Sequence, residues 1–399
     1  MFIHQGGGRH IVKVLVVNNG CSQDLDLVVC MKIINLISYP VKRYVSPLAI
    51  YSLAILLLSS CAAPPDKANS GPVFYPPLPN PPRIQFLTSF ATMRDLADTS
   101  VFSDFLLGKE RTAQSLVKKP YGVALADGKL FAVDTRGPGY VVFDLKKQRT
   151  YSISGLGAGR MKKPINIVLD AKGNRFVTDT ERNQILMYNN QDEFVRAFGI
   201  EGQFKPTDVA LLNDEMYVVD IEHHKIHVLS IAFGDVLREF GKAGSKENEF
   251  YHPTNIKIGV DGNLYISDTG NYRIQVVSRK GKFLRRIGKA GSSLGEFARP
   301  KGLALDQSGN IYVVDAAFNN VQVFGTDGKL LLFFGGAGNE PGGLNLPTDI
   351  EIDYDNVKLF QKYAEPGFEL EFVILVANQF GPNKISAYGY GKMKGMSYE

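Results

Sequence analysis

The chain has 399 residues, 44% of them hydrophobic, with 45 Lys and Arg against 40 Asp and Glu and a formal net charge of +5. Its three cysteines, two of them within the first thirty residues, exclude a disulfide scaffold, so any domain of this length must be stable by core burial alone. Without residues 1–60 the formal charge falls to +2, so the whole chain overstates the basicity of a processed form.

Residues 1–30 show no pattern, and we expect them to be untranslated or unstructured, with Met31 as the initiator. Lys32, Lys42 and Arg43 then precede an apolar run from Val45 to Leu58 that ends in Leu58-Ser59-Ser60-Cys61. Charged region, short apolar region and small-residue site come in the order that resembles a bacterial lipoprotein signal peptide, over residues 31–60, with Cys61 as the lipid attachment site. The run contains Pro47 and is shorter than the roughly 20 residues a membrane span needs. Eight of the residues from Ala62 to Pro82 are proline, which reads as an extended tether over 61–82. Ala62 after the cysteine resembles the sorting signal for the outer membrane of Gram-negative bacteria. The expected location is the cell envelope, lipid-anchored.

From residue 83 one unit recurs, clearest in Pro253–Gly281. The alternation at Ile256 and Ile258 leads to Asp261-Gly262-Asn263, whose last two residues favour the positive φ of a tight hairpin, and then to Leu264-Tyr265-Ile266 ending at Asp268. A polar turn, Thr269-Gly270-Asn271, precedes a third run, Arg273–Val277, and a fourth, Phe283–Gly288. Equivalent starts lie at Pro120, Pro164, Pro206, Pro300 and Pro347, spaced 42 to 47 residues apart. Four strands per unit at that period predict β-propeller blades, because a lone four-stranded sheet cannot bury both faces but a ring of them can. Six starts predict an all-β, six-bladed propeller of four-stranded antiparallel blades.

The Pro-x-x-Ile starts, the Gly-Asn-Leu-Tyr-Ile-Ser-Asp core and the Asn-x-Arg-Ile-Gln-Val close resemble the NHL-repeat six-bladed propellers over residues 83–391. Blade one lacks the Asn-x-Arg turn, and blade six has Asn378 where the others have Asp134, Asp179, Asp220, Asp268 and Asp315. Blade six also stops after three strands, and Phe86–Phe90 matches Phe283–Ile287, which predicts closure of the ring by an N-terminal strand. Two insertions interrupt the pattern. In 91–119, Met93, Leu96, Val101, Phe102, Phe105 and Leu106 are expected to pack on the flank, and 354–369 lengthens the first hairpin of blade six. Residues 392–399 read as a tail.

The loops entering the blades and the turns between second and third strands share one face, which the NHL resemblance implies is the binding face. It is expected to present Arg160, Lys163, Arg182, Arg273, Arg299 and Lys301, and also His223, His224 and His252. That basicity suits an acidic envelope protein or another anionic ligand; export and the absence of exposed aromatics between the charges argue against nucleic acid. The three histidines are one candidate metal group. Asn166, Asp208, Asn255 and Asp349, which open first strands on the axis, are another, and four converging oxygen donors suit calcium. Backbone capping competes with that reading. The Asp ending each second strand, five times at equivalent positions, points to a turn cap repeated per blade. No Gly-x-Ser-x-Gly, Walker or haem motif occurs. The sequence reading is a membrane-anchored, non-catalytic binding platform that needs no cofactor; a metal-dependent lyase or lactonase acting in the channel is the alternative.

Overall fold

The computed structural model describes residues 71–96, 115–200 and 202–398. The expectations for residues 1–60, for Cys61, and for Val101, Phe102, Phe105 and Leu106 fall outside them. The chain is a six-bladed β-propeller. Five antiparallel four-stranded sheets span residues 120–153, 164–198, 206–240, 253–287 and 300–335. The sixth holds Pro347–Asp353, Phe368–Asn378 and Ile385–Met393, and its fourth strand is Ile84–Phe90 from the other end of the chain.

Alternation along each strand serves two neighbours at once. Leu264 and Ile266 face blade three, packing with Tyr217, Val219 and Phe250, while Tyr265 between them faces blade five and packs with Leu303 and Val313. Because both faces of a blade are covered, its strands are apolar on both sides, and six clusters fill the six gaps. Each fully buried Leu, Ile, Val or Phe contributes about 1.5–3 kcal/mol to that packing.

The turns differ from expectation in one detail. Only Gly262 in the Asp261-Gly262-Asn263 hairpin has a positive φ, 73°; Asn263 instead bonds the Asp261 carboxylate through its N–H and its Nδ2. In the second turn the left-handed residue is the one before the third strand, Asn183, His224, Tyr272 and Asn319 in blades two to five, all within 54–57°.

Part of the Pro-rich run is not a free tether. Phe74–Tyr75 pairs antiparallel with Gln85 and Ile84 as a fifth strand of blade six, with Phe74 buried against Phe368. Because this edge strand is antiparallel to Ile84–Phe90, its start at Val73 points toward the loop face, where Tyr75 donates its hydroxyl hydrogen to Gly342 O. The tail is also folded: Tyr398 donates to Pro82 O at 2.9 Å, and Arg83 lies over its ring. Of the insertions, Met93–Asp95 is a single 3₁₀ turn capped by Thr92, with Leu96 buried, and Val357–Phe360 is a one-turn helix whose Phe360 fills the gap between blades six and one beside Phe90 and Phe143.

Candidate functional site on the loop face

The repeated Asp anchors the loops. Asp134 accepts the N–H groups of Lys118 and Lys119 from the entering loop and of Arg136 from its own turn. Asp179 does the same with Lys162, Lys163, Glu181 and Arg182, and Asp315 with Ala298, Arg299, Ala317 and Phe318. Asn378 holds the Asn345 N–H in blade six. With the backbone N–H groups turned inward to the carboxylate, the long basic side chains of the same residues are displayed outward. Beneath these loops sit apolar pegs such as Phe250 and Phe297; a Cβ on Gly288, at φ 74°, would lie 2.3 Å from the Phe297 ring.

The basic residues then divide. Arg160, Lys162, Lys163 and Arg299 are exposed and make no ion pair among the described residues. Arg182 is half-buried and donates to the Ala158 and Arg160 carbonyls and to Gln184. Arg273 is not displayed at all: it is buried, its Nε bonds Asp268 at 2.8 Å, and it donates to the Lys246 and Glu249 carbonyls. Lys301 is buried as well, with Nζ 2.8 Å from the Tyr121 hydroxyl over the channel mouth. The last three hold loops and blades together.

The histidines separate in the same way. His223 Nδ1 lies 2.7 Å from Asp220, which also meets His227 Nε2 at 3.0 Å. Burial raises the Asp220 carboxyl, but hydrogen bonds from His227, the Lys205 N–H and His223 outweigh it and hold it down at about 2. His224 accepts the His252 N–H at Nδ1 and stacks on Tyr251, and burial, then the neighbouring His252, lowers its pKa. The three do not converge, and among the described residues no group of three or more His, Cys, Asp or Glu is placed to hold a metal.

In every first strand the register slips just after the proline, which turns the next residues toward the axis. There Asn166 donates to Asp208 at 2.8 Å, Asp208 accepts the Ile256 N–H at 2.9 Å, Asn255 donates to Asp349 at 3.4 Å, and Asp349 accepts the Val123 N–H at 3.1 Å. Gly122 and Gly302 complete the ring, because a Cβ there would strike Asn166 and the Asp349 backbone. Further along the channel Lys257 pairs with Glu351 at 2.8 Å. Burial raises both Asp208 and Asp349 above the ordinary carboxyl range, Asp208 further because Asp349 is near, while Lys257 works against the shift. The carboxylate oxygens of Asp208 and Asp349 face N–H groups, Asn166 Oδ1 accepts the Ile167 N–H, and Asn255 Oδ1 is buried without a hydrogen-bond partner among the described residues.

A family model described as a 6-bladed beta-propeller matches residues 243–329. A Bacteroides thetaiotaomicron protein of unknown function is 17% identical, with 77% of this chain and 75% of that one covered and a TM-score of 0.55. A Xanthomonas campestris gluconolactonase is 14% identical, with 80% and 95% covered and a TM-score of 0.52. An auxiliary nutrient binding protein from Bacteroides ovatus is 15% identical, with 70% and 71% covered and a TM-score of 0.51. The likeness is one of fold.

The sequence reading missed the apolar tips of this face. Leu156, Ile200 and Leu294 stand exposed in the loops between blades, and Phe380 in the second turn of blade six, with Tyr251 and Tyr272 also partly open. For Leu156, Ile200 and Leu294 the signal was in the sequence: each is a large apolar residue between glycines in a stretch that no strand claims. Beside Leu156 lies a cleft of about 480 Å³ lined by Gly157, Ala158, Lys162, Glu181 and Arg182. A larger one, about 750 Å³, is on the opposite face, where Arg238 is held bidentately by Glu215.

Proposed function

We propose that this chain is an exported lipoprotein of the NHL-repeat type, acylated at Cys61, whose propeller is a non-catalytic platform that binds an envelope protein or an anionic envelope ligand on its loop face. The observation that carries this reading is the division of labour among polar groups: the channel carboxylates are taken up by N–H groups of neighbouring blades, whereas Arg160, Lys162, Lys163 and Arg299 are displayed on the loop face with no ion pair among the described residues. The name of the Bacteroides ovatus neighbour, an auxiliary nutrient binding protein, is in keeping with a binding role. In a Gram-negative source the location is the outer membrane. A lyase or lactonase working through a channel metal would need the Asp208 and Asp349 carboxylates, which the ring directs at N–H groups.

Two measurements test the proposal. Mass spectrometry of the N-terminal fragment is expected to find a diacylglyceryl-modified Cys61, and Cys61→Ser to abolish the modification. A photo-crosslinker at Leu156 is expected to capture an envelope component that one at Val260, on the opposite face, does not. Equal capture at both positions would remove the loop face as the binding face.

A further inference from the structure

We propose that the loop face seats directly on an anionic lipid surface, its apolar tips entering the interface and its free cations meeting lipid phosphates. This rests on the reading of the chain as a lipid-anchored protein whose loop face is the binding face.

Three observations carry the inference. The first is how the apolar groups are arranged. Leu156 is 88% exposed, Ile200 73%, Leu294 58% and Phe380 53%, and they stand singly on four different loops with polar residues between them. A protein partner needs a contiguous apolar centre with complementary packing, whereas separate apolar prongs suit a fluid interface that closes around each of them.

The second is charge. Over blades one and two this face displays Lys118, Arg136, Arg160, Lys162 and Lys163, and the one exposed carboxylate there among the described residues is Glu181. Each cation near an anionic bilayer contributes about 1 kcal/mol, and that attraction fades within a Debye length, so cations flanking Leu156 count only if the face lies on the surface.

The third is the direction of the chain. The Phe74–Tyr75 strand runs antiparallel to Ile84–Phe90, so Val73 leads away on the loop-face side of the blade. The eleven residues from Ala62 to Pro72 reach at most about 35 Å as an extended Pro-rich chain. An acyl group at Cys61 would join the propeller through this loop-face edge of blade six. One acyl signal joined to a basic and apolar face gives the two-part attachment that stable peripheral binding requires.

The test uses the whole lipidated protein in vesicles of phosphatidylcholine, with or without about 30 mol% phosphatidylglycerol. Leu156→Cys and Val260→Cys each carry an environment-sensitive dye. With anionic vesicles the dye at 156 is expected to shift to the blue and to lose most of its quenching by an aqueous quencher, while the dye at 260 is unchanged. Adding Lys162→Glu and Lys163→Glu, or raising the salt, is expected to reverse the effect. A dye at 156 that stays accessible in anionic vesicles overturns the proposal. If that accessible dye is then protected by polyglutamate, the lipid is wrong while the loop face remains an anion-binding face; if polyglutamate also leaves it accessible, the binding-face reading falls too. Protein recovered without an acyl group at Cys61 overturns the lipid-anchored reading and the proposal that rests on it.

Discussion

Two rings of polar residues run round the propeller, one at the ends of the second strands and one near the starts of the first strands. In the outer ring the same residue type recurs, Asp134, Asp179, Asp220, Asp268 and Asp315, with Asn378 in blade six, and each member binds the N–H groups of its own loops. In the inner ring the residues alternate among Gly, Asn and Asp, and each faces a different blade: Asn166 bonds Asp208, Asp208 bonds Ile256, and Gly302 makes room for Asp349. A task completed within one repeat can be done the same way every time. A task shared between repeats requires donors to face acceptors and bulk to face space, so its residues must differ.

The largest effect should come from the outer ring. Asp268 accepts from Tyr251 N, Arg273 Nε, Asn271 Nδ2 and Gln275 Nε2, so Asp268→Ala strands a buried guanidinium and is expected to cost about 3–5 kcal/mol in urea unfolding. If Asp268→Ala costs under about 1 kcal/mol, the cap is not what holds these loops.

The inner ring should break next through its glycines. A Cβ at Gly302 would lie 2.4 Å from the Asp349 Cα, which is backbone and cannot swing away. Gly302→Ala is therefore expected to lose about 1–3 kcal/mol. Gly202→Ala is the useful control: no atom lies within 4 Å of its added Cβ, so only the strain of its positive φ, 77°, remains.

Acid separates the rings further. Asp220 sits at about 2, below the ordinary value of about 3.9, so its contribution is complete above the unfolded value and is lost as pH falls toward 2. The loss, allowing for partial solvent screening, is about 1–2 kcal/mol, and Asp220→Asn should flatten that part of the stability curve. Asp208 shifts the other way, so its folded form favours the proton, and its share of stability falls as pH rises through the neutral range. Comparing pH-dependent unfolding of Asp220→Asn with that of Asp208→Asn reads the opposite signs directly.

The smallest effect is expected across the channel. Lys257 and Glu351 are each about a quarter exposed (24% and 26%), so a double-mutant cycle with Lys257→Met and Glu351→Gln should give a coupling of about 1 kcal/mol. A coupling several times larger would mean that the channel is drier than its exposure indicates.

The difference between the rings also explains what the sequence disclosed. Strand starts, blade count, closure by Phe86–Phe90 and the capping role of the repeated Asp were legible, because each depends on spacing or on a residue type that recurs within the unit. The fates of Arg273 and Lys301 were not. A cation in a turn looks the same in sequence whether it meets solvent or, like Arg273, the carbonyls of a loop some 25 residues away. For the inner ring the residues were found and their task was not, since Asn166 and Asp208 are 42 positions apart and only the curvature of the ring brings them together.

The closing strand has a consequence for the time course of synthesis. Ile84–Phe90 is made first, yet its partner Ile385–Met393 is made last, and the Ser89–Asn383 hydrogen bond spans 294 residues. Until the final repeat is made, the first strand has no edge to join, and the gap between blades six and one, where Phe90, Phe143 and Phe360 meet, stays open. Such distant pairing folds slowly and leaves apolar surface exposed while it waits. A chain cut before Ile385 would lack the seam and not just a strand, because five good blades alone do not make a ring.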